Sequence, residues 1–193
     1  MNEKVDRAYD RIYERLLVLR CQTGDEAAFA ELVGRYHARL RRFLRRMLDG
    51  DDHAADDALQ DVWIDVFRSV GKLRDAGAFA PWLFRVARDR AYRVLRRRGI
   101  PVDAIGDVDQ VAAGSSAEPA AFDEEDRRQV TTSLDRLPHA QREVLLLRFV
   151  EDLSYEQIAA AVGCELGTVR SRLHYAKRAL REVIERNGHE QPQ

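Results

Sequence analysis

The sequence predicts an all-α protein built from two small helical domains that a flexible acidic linker joins. Apolar residues recur at helical spacing through most of the 193 residues, and a hydrophobic fraction of 45% suffices for real cores. Residues 102–126 interrupt this pattern with eight acids, no base and a Gly-Ser-Ser-Ala-Glu-Pro centre, a composition typical of disorder. We therefore predict a helical bundle over residues 1–99, the linker over 100–126 and a helix-turn-helix domain over 127–187.

The first third of the chain shows two helical patterns. We expect a helix over residues 3–20 that packs through Ile12, Leu16, Leu17 and Leu19. Thr23 or Asp25 is placed to cap a second helix, because short polar side chains accept from the free amides of a first turn. The apolar stripe of that second helix comprises Leu40, Phe43, Leu44, Met47 and Leu48.

The charge then reverses. Residues 49–67 contain seven Asp and no Lys or Arg, while apolar residues keep helical spacing. The polar side chains at positions 57, 60, 61 and 65 can therefore face outward as an acidic ridge. Two carboxylates at this spacing could form a metal or acid-base pair, but no His or third ligand accompanies them. A protein-docking surface or a plain solvated face is the better interpretation.

A short loop leads to Pro81, which suits the first turn of a helix because its missing amide is not needed there. The following helix carries seven Arg between residues 85 and 98 against one acid, Asp89. Phe79, Trp82 and Tyr92 add aromatic surface. Rings beside cations can stack on unpaired bases while the cations neutralise phosphates. The alternative is that Phe79 and Trp82 only fill the core.

A helix-turn-helix pattern occupies residues 153–180. Ser154 and Gln157 form a capping box, Leu153 and Ile158 flank it as a hydrophobic staple, and Gly163 can end the helix in the left-handed region. The second helix has no acid between residues 166 and 181. A bare cationic helix on a capped support helix suits the DNA major groove.

Several classes of function are disfavoured. The sequence has no Gly-rich phosphate loop, no HExxH and no nucleophile signature, so we predict no enzymatic activity, no cofactor and no metal. Cys21 and Cys164 stand alone, which indicates neither a disulfide framework nor a zinc site. The N-terminus lacks an apolar signal segment, and no run reaches membrane-spanning length, so we expect a cytoplasmic protein without membrane contact.

These stretches resemble a known family. Residues 137–182, LPHAQREVLLLRFVEDLSYEQIAAAVGCELGTVRSRLHYAKRALRE, are similar to the fourth region of bacterial sigma factors of the extracytoplasmic-function type. TGDEAAFAELVGRYHARLRRFL, DDALQDVWIDVFR and FAPWLFRVARDRAYRVLRRR resemble the second region. The resemblance implies a factor that binds core RNA polymerase and directs promoter-specific initiation.

The resemblance also assigns roles to residues. It implies docking to the clamp helices of the largest polymerase subunit through Asp57, Gln60, Asp61, Trp63 and Asp65. It implies the polymerase flap as a further contact. It implies capture of the melted -10 element by Lys72, Arg74, Phe79, Trp82, Arg85, Arg88, Asp89, Arg93, Arg96 and Arg97. It implies reading of the duplex -35 element by Thr168, Arg170, Ser171, Arg172, His174, Tyr175 and Arg178.

Asp89 departs from the family pattern. Relatives often carry Asn where this chain has Asp89, a carboxylate that would repel phosphate unless Arg85 or Arg93, one turn away, neutralises it.

The alternative function is a stand-alone helix-turn-helix regulator that binds palindromic duplex as a dimer. That alternative leaves the N-terminal domain without a role. An anti-sigma factor is a further partner that the family suggests.

Overall fold

The computed structural model describes residues 3–100 and 132–189, and within these ranges all regular structure is helical. The chain divides into two compact units, one N-terminal and one C-terminal to the linker region, and each is considered separately. The all-α, two-domain prediction is confirmed. Residues 101–126 of the predicted linker and residues 127–131 of the predicted helix-turn-helix domain lie outside the described residues.

Four helices make the N-terminal unit: α1, Glu3–Gln22; α2, Glu26–Met47; α3, Asp52–Ser69; and α4, Phe79–Arg97. Two short 3₁₀ turns, Val70–Lys72 and Ala76–Ala78, lie between α3 and α4. Helix α2 is central and packs against the other three helices. Its predicted apolar stripe is confirmed, since Leu40, Phe43, Leu44, Met47 and Leu48 are all buried.

The packing face of α1 differs from the prediction. Leu17 is fully buried, but Ile12, Leu16 and Leu19 are about half exposed or more, at 63%, 48% and 52%. Their spacing is helical, yet Leu17 and Val18 on another face of the same helix contact the core. A short amphipathic pattern with apolar residues on two faces does not reveal which face meets α2. Phe67 and Phe149 are likewise exposed apolar residues, at 62% and 56%.

The C-terminal unit contains α5, His139–Leu145, which continues as a π-helical turn over Leu146–Val150, then α6, Tyr155–Val162, and α7, Leu166–His189. Residues 132–135, ahead of α5, are also helical. Arg142 is 1% exposed and ties this segment to α5. Its guanidinium donates to the carbonyls of Leu134, Asp135 and Leu137 at 3.0, 2.6 and 3.1 Å. A buried cation is tolerated here because carbonyl acceptors surround it.

None of the helices in the described ranges combines the length and apolarity that crossing a lipid bilayer requires.

Two Asp residues cap helices of the N-terminal unit. The Asp25 carboxylate accepts from the Ala28 amide at 3.0 Å, and that of Asp51 accepts from the Ala54 amide at 2.9 Å. The hydrogen bond from the backbone amide is the main reason why the pKa of each carboxyl is lowered. Arg20 lowers the pKa of Asp25 further, and Arg98 lowers that of Asp51. A lowered folded-state pKa means that the cap stabilises the fold above the unfolded value of about 3.9 and loses that contribution as pH falls further.

We therefore expect the thermal stability of the wild-type chain to fall more steeply between pH 6 and pH 3 than that of an Asp25→Ser, Asp51→Ser variant. Serine caps a helix without titrating in this range, whereas the other carboxylates act equally in both proteins. Melting followed by circular dichroism at each pH measures the difference. Parallel pH curves would contradict the capping role.

Candidate nucleic-acid and protein interfaces

The acidic ridge is the outward face of α3 and comprises Asp57, Gln60, Asp61 and Asp65. Helix α3 exposes Asp57, Gln60 and Asp61, because Ala58, Leu59 and Val62 occupy its packing face. Trp63 is half-buried, and its ring meets the Phe29 ring edge-on at 6.0 Å between centroids. The ridge therefore joins carboxylates to one partly exposed aromatic ring.

Arg90 of α4 reaches across to this ridge. Its Nε donates to Oδ2 of Asp65 at 2.7 Å, and its NH1 donates to Oδ2 of Asp61 at 2.8 Å. The hydrogen bond with Asp65 is the main cause of a raised pKa for Arg90. Arg90 was expected among the outward arginines of its helix, and the structure instead pairs it with α3. Sequence reasoning missed this role.

The arginine surface consists of the outward side chains of α4. Arg85, Arg93, Arg96 and Arg97 are exposed, as predicted. Arg93 and Arg97 also line a groove between α3 and α4, together with Asp57 and Asp61. Anionic and cationic surfaces thus adjoin along one edge of the N-terminal unit.

Asp89 has a different partner from the one expected. Arg88, the adjacent residue, donates to its Oδ1 at 3.2 Å, so the neutralising group is neither Arg85 nor Arg93. The Arg88 guanidinium also lies over the Tyr92 ring, 4.7 Å from its centroid, and its side chain is 20% exposed. The ring holds Arg88 along the helix surface, where the Asp89 carboxylate is within reach. Asp89 is therefore locally compensated.

The loop before α4 corrects one predicted contact. Phe79 has no exposed surface, and its ring packs against those of Tyr36 and Trp82 at 5.6 and 5.9 Å. It cannot stack on a base without leaving the core, so it is a packing residue that supports Trp82. Trp82 itself is partly exposed, and Lys72 and Arg74 are exposed.

The loop is anchored from α1, a feature that the sequence did not reveal. The Gln22 side-chain amide donates to the carbonyls of Val70 and Leu73 at 3.1 and 2.7 Å. Asp75 accepts from the Gly77 amide at 2.8 Å. The loop that carries Lys72 and Arg74 is therefore fixed at its base.

The helix-turn-helix has the predicted local geometry. The Ser154 hydroxyl accepts from the Gln157 amide at 3.2 Å, and the Gln157 side chain accepts from the Ser154 amide at 2.9 Å. Gly163 ends α6 with φ of 71°, where a side chain would be strained. Val169, Leu173 and Ala176 bury one face of α7, so the opposite face is turned outward.

The predicted reading residues on α7 divide into three groups. Arg170, His174 and Arg178 are exposed, and Arg178 pairs with Glu182 at 3.0 Å. Thr168, Arg172 and Tyr175 are half-buried, and Arg172 turns two of its nitrogens away from solvent. Ser171 is 7% exposed and donates to the Gly167 carbonyl at 3.0 Å. The Ser171 hydroxyl is therefore engaged with the backbone of its own helix.

Comparison with known proteins assigns the family. Residues 32–100 match the family model for sigma-70 region 2, and residues 127–180 match that for sigma-70 region 4. ECF RNA polymerase sigma factor SigE of Mycolicibacterium smegmatis is 37% identical over 177 residues, which cover 89% of this chain and 68% of that protein. ECF RNA polymerase sigma-E factor of Escherichia coli K12 is 33% identical over 186 residues, covering 91% and 96%.

Solved structures share the fold. CnrH in complex with the cytosolic domain of CnrY has the same fold, with a TM-score of 0.65, 22% identity and coverage of 90% of this chain and 97% of that one. The sigma factor RpoE in complex with the anti-sigma factor NepR from Bartonella quintana gives a TM-score of 0.63, 26% identity and coverage of 81% and 96%.

The chain belongs to the extracytoplasmic-function (ECF) sigma factors of the sigma-70 family. Its function is promoter-specific transcription initiation together with RNA polymerase.

Proposed function

We propose that the two units of this sigma factor recognise two states of promoter DNA while the acidic ridge docks the chain on core polymerase. The observation that carries this proposal is the separation of charge. The exposed cations of α4 and α7 lie on different units, and the carboxylates of α3 form an anionic surface that adjoins the cations of α4. Each surface therefore suits a different partner.

The acidic ridge is proposed to meet the basic clamp helices of the largest polymerase subunit. Asp57, Gln60 and Asp61 are exposed on one face, and the half-buried Trp63 ring offers apolar contact beside them. Charge complementarity of this kind raises association rates and sets orientation. The flap is proposed as a second polymerase contact, and an anti-sigma factor as a competing partner, by analogy with the RpoE relative.

The surface around α4 is proposed to hold the melted -10 strand. Lys72 and Arg74 lie on an anchored loop, and Arg85, Arg93, Arg96 and Arg97 continue the cationic surface along the helix. Trp82 supplies a ring on which an unpaired base can stack. Binding that favours an extruded base converts binding free energy into strand opening.

The outer face of α7 is proposed to read the -35 element as duplex. Arg170, His174 and Arg178 project from a helix that α6 and Gly163 hold in a fixed turn. Arginine can pair bidentately with guanine in the major groove. Thr168, Arg172 and Tyr175, which are half-buried, are proposed as further contacts to the same element.

In vitro transcription with purified core polymerase on a promoter library tests the proposal. We expect RNA chains that start at defined positions downstream of a shared pair of elements, and only when the chain is added. A stand-alone regulator would instead bind palindromic duplex tightly without polymerase. Absence of defined start sites, with core enzyme that is active with another sigma factor, would contradict the proposal.

Trp82→Ala should weaken binding of holoenzyme to a single-stranded -10 oligonucleotide by about 1 to 3 kcal/mol, the usual value of one stacked base. Binding to duplex -35 DNA should not change, since that contact lies on the other unit. Fluorescence anisotropy with each labelled DNA measures both affinities. Trp82→Phe keeps a ring and should recover most of the loss, so equal losses in the two variants would exclude stacking.

A further inference from the structure

We infer that Arg90 is a positioning residue for polymerase docking: it holds the carboxylates of Asp61 and Asp65 in one arrangement and takes no part in DNA contact. This inference rests on the proposed docking role of the acidic ridge. It separates Arg90 from the other arginines of α4, with which its position in the sequence would group it.

One guanidinium bridges two carboxylates of the acidic ridge. Arg90 engages Asp65 through Nε and NH2 and Asp61 through NH1, so one guanidinium spans two carboxylates that lie one helical turn apart. The planar fork of arginine fixes the direction of each hydrogen bond, which a lysine ammonium could not do. The bridge therefore specifies where both carboxylates lie.

Exposure shows which member of the cluster faces outward. The Arg90 side chain is 18% exposed, whereas those of Asp61 and Asp65 are 54% and 34% exposed. The cation thus lies beneath the anions. A DNA phosphate would reach the carboxylates before the guanidinium, so Arg90 is poorly placed for DNA. A cationic partner would meet the carboxylates directly.

The bridge also offsets repulsion along α3. Asp57, Asp61 and Asp65 succeed one another at intervals of four residues, a spacing at which like charges destabilise a helix. Arg93 and Arg97 of α4 and Arg98, which follows that helix, also line the groove, and Arg98 pairs with Asp51 at 2.6 Å. Arg90 is the residue that bonds to two ridge carboxylates at once.

A bridged carboxylate keeps acceptor capacity. Arg90 uses Oδ2 of both Asp61 and Asp65, and each Asp retains its second oxygen for a partner. Arg90 can therefore remain in place after docking. Ordering these side chains beforehand reduces the conformational entropy that binding would otherwise cost. We therefore expect the bridge from Arg90 to raise the affinity of the acidic ridge for core polymerase. If Arg90 instead competed with the partner for the carboxylates, the bridge would lower that affinity.

The experiment measures binding of the full chain to core polymerase without DNA, by fluorescence anisotropy. We expect Arg90→Ala to weaken binding about tenfold, the effect of losing order in two flexible side chains. Arg90→Lys should also bind more weakly than the wild type, because it keeps the charge and loses the fork. In an Asp61→Asn, Asp65→Asn background, Arg90→Ala should have little further effect, since the positioned groups are already lost.

Other results would overturn the inference. Tighter core binding by Arg90→Ala would show competition, and an undiminished effect in the Asn background would show action through other groups. Wild-type core affinity with weaker binding of holoenzyme to melted promoter would make Arg90 a DNA contact. Circular dichroism verifies folding of each variant, and Arg90→Lys replaces Arg90→Ala if the latter unfolds. Arg42→Ala, an exposed arginine of α2, is the control.

The same assay distinguishes this inference from the docking proposal beneath it. If Asp57→Arg binds core polymerase normally, the acidic ridge is not the docking surface and both proposals fail. If Asp57→Arg loses binding while Arg90→Ala binds as the wild type does, the docking surface stands and the role of Arg90 alone is wrong.

Discussion

Asp57→Arg should abolish association with core RNA polymerase and leave the N-terminal unit folded. Asp57 is exposed, and no ion pair with another residue is seen for it within the described ranges, so its replacement breaks no ion pair there. The change places a cation in the middle of a surface proposed to meet basic helices. Like charges held together at an interface cost several kcal/mol, which is enough to remove a specific complex.

The variant is preferable to Asp61→Arg, which should also lose binding. An arginine at position 61 would face Arg90, now 2.8 Å from the Asp61 carboxylate, and would disturb the fold as well as the surface. Co-purification with core polymerase and circular dichroism together measure both effects. Asp6→Arg changes net charge equally at an exposed position of α1 and should co-purify normally. Retention of core binding by Asp57→Arg would remove the docking assignment.

Much of the fold could be predicted because local chemistry decides it. The Asp25 cap, the Ser154 and Gln157 capping box and the left-handed Gly163 each act within five residues, and all three are present. The apolar stripe of α2 was also correct. A central helix has neighbours on several sides, so its apolar residues are buried wherever the neighbours lie. Local rules suffice for such elements.

The remainder depended on contacts between elements. The six arginines of α4 look alike in the sequence, and only the packing of α4 on α3 turns Arg90 inward while Arg93 stays exposed. The burial of Phe79 likewise depends on a contact between helices, because its ring packs against that of Tyr36 of α2. Gln22 carries no local signal that it anchors a loop about fifty residues away. Periodicity assigns residues to a helix face without identifying what that face will meet.

The hydrogen bond of Ser171 is a further feature that the sequence pattern did not predict. Ser and Thr inside helices often donate back to a carbonyl one turn earlier, and Ser171 does so to Gly167. At 7% exposure, Ser171 is also less accessible than Arg170, His174 and Arg178. Exposed positions on α7 therefore carry the proposed sequence reading, and Arg170 is the first of them.

Arg170→Ala should weaken binding of holoenzyme to its preferred -35 duplex by about 1 to 3 kcal/mol and relax preference at one base pair. Arg170 is exposed near the N-terminal end of α7, the part of a recognition helix that enters the major groove. Loss of a bidentate contact to guanine removes discrimination at that pair while affinity for other sequences changes little.

Affinities for a set of duplexes, each with one altered -35 base pair, measure the effect. Arg186→Ala is the matched control, because Arg186 is exposed on the same helix about 24 Å further along, beyond the proposed reading positions. The control should lose no preference at any pair. An equal loss by Arg170→Ala on every duplex would mean that Arg170 contacts phosphate, because backbone contacts position a protein without distinguishing bases.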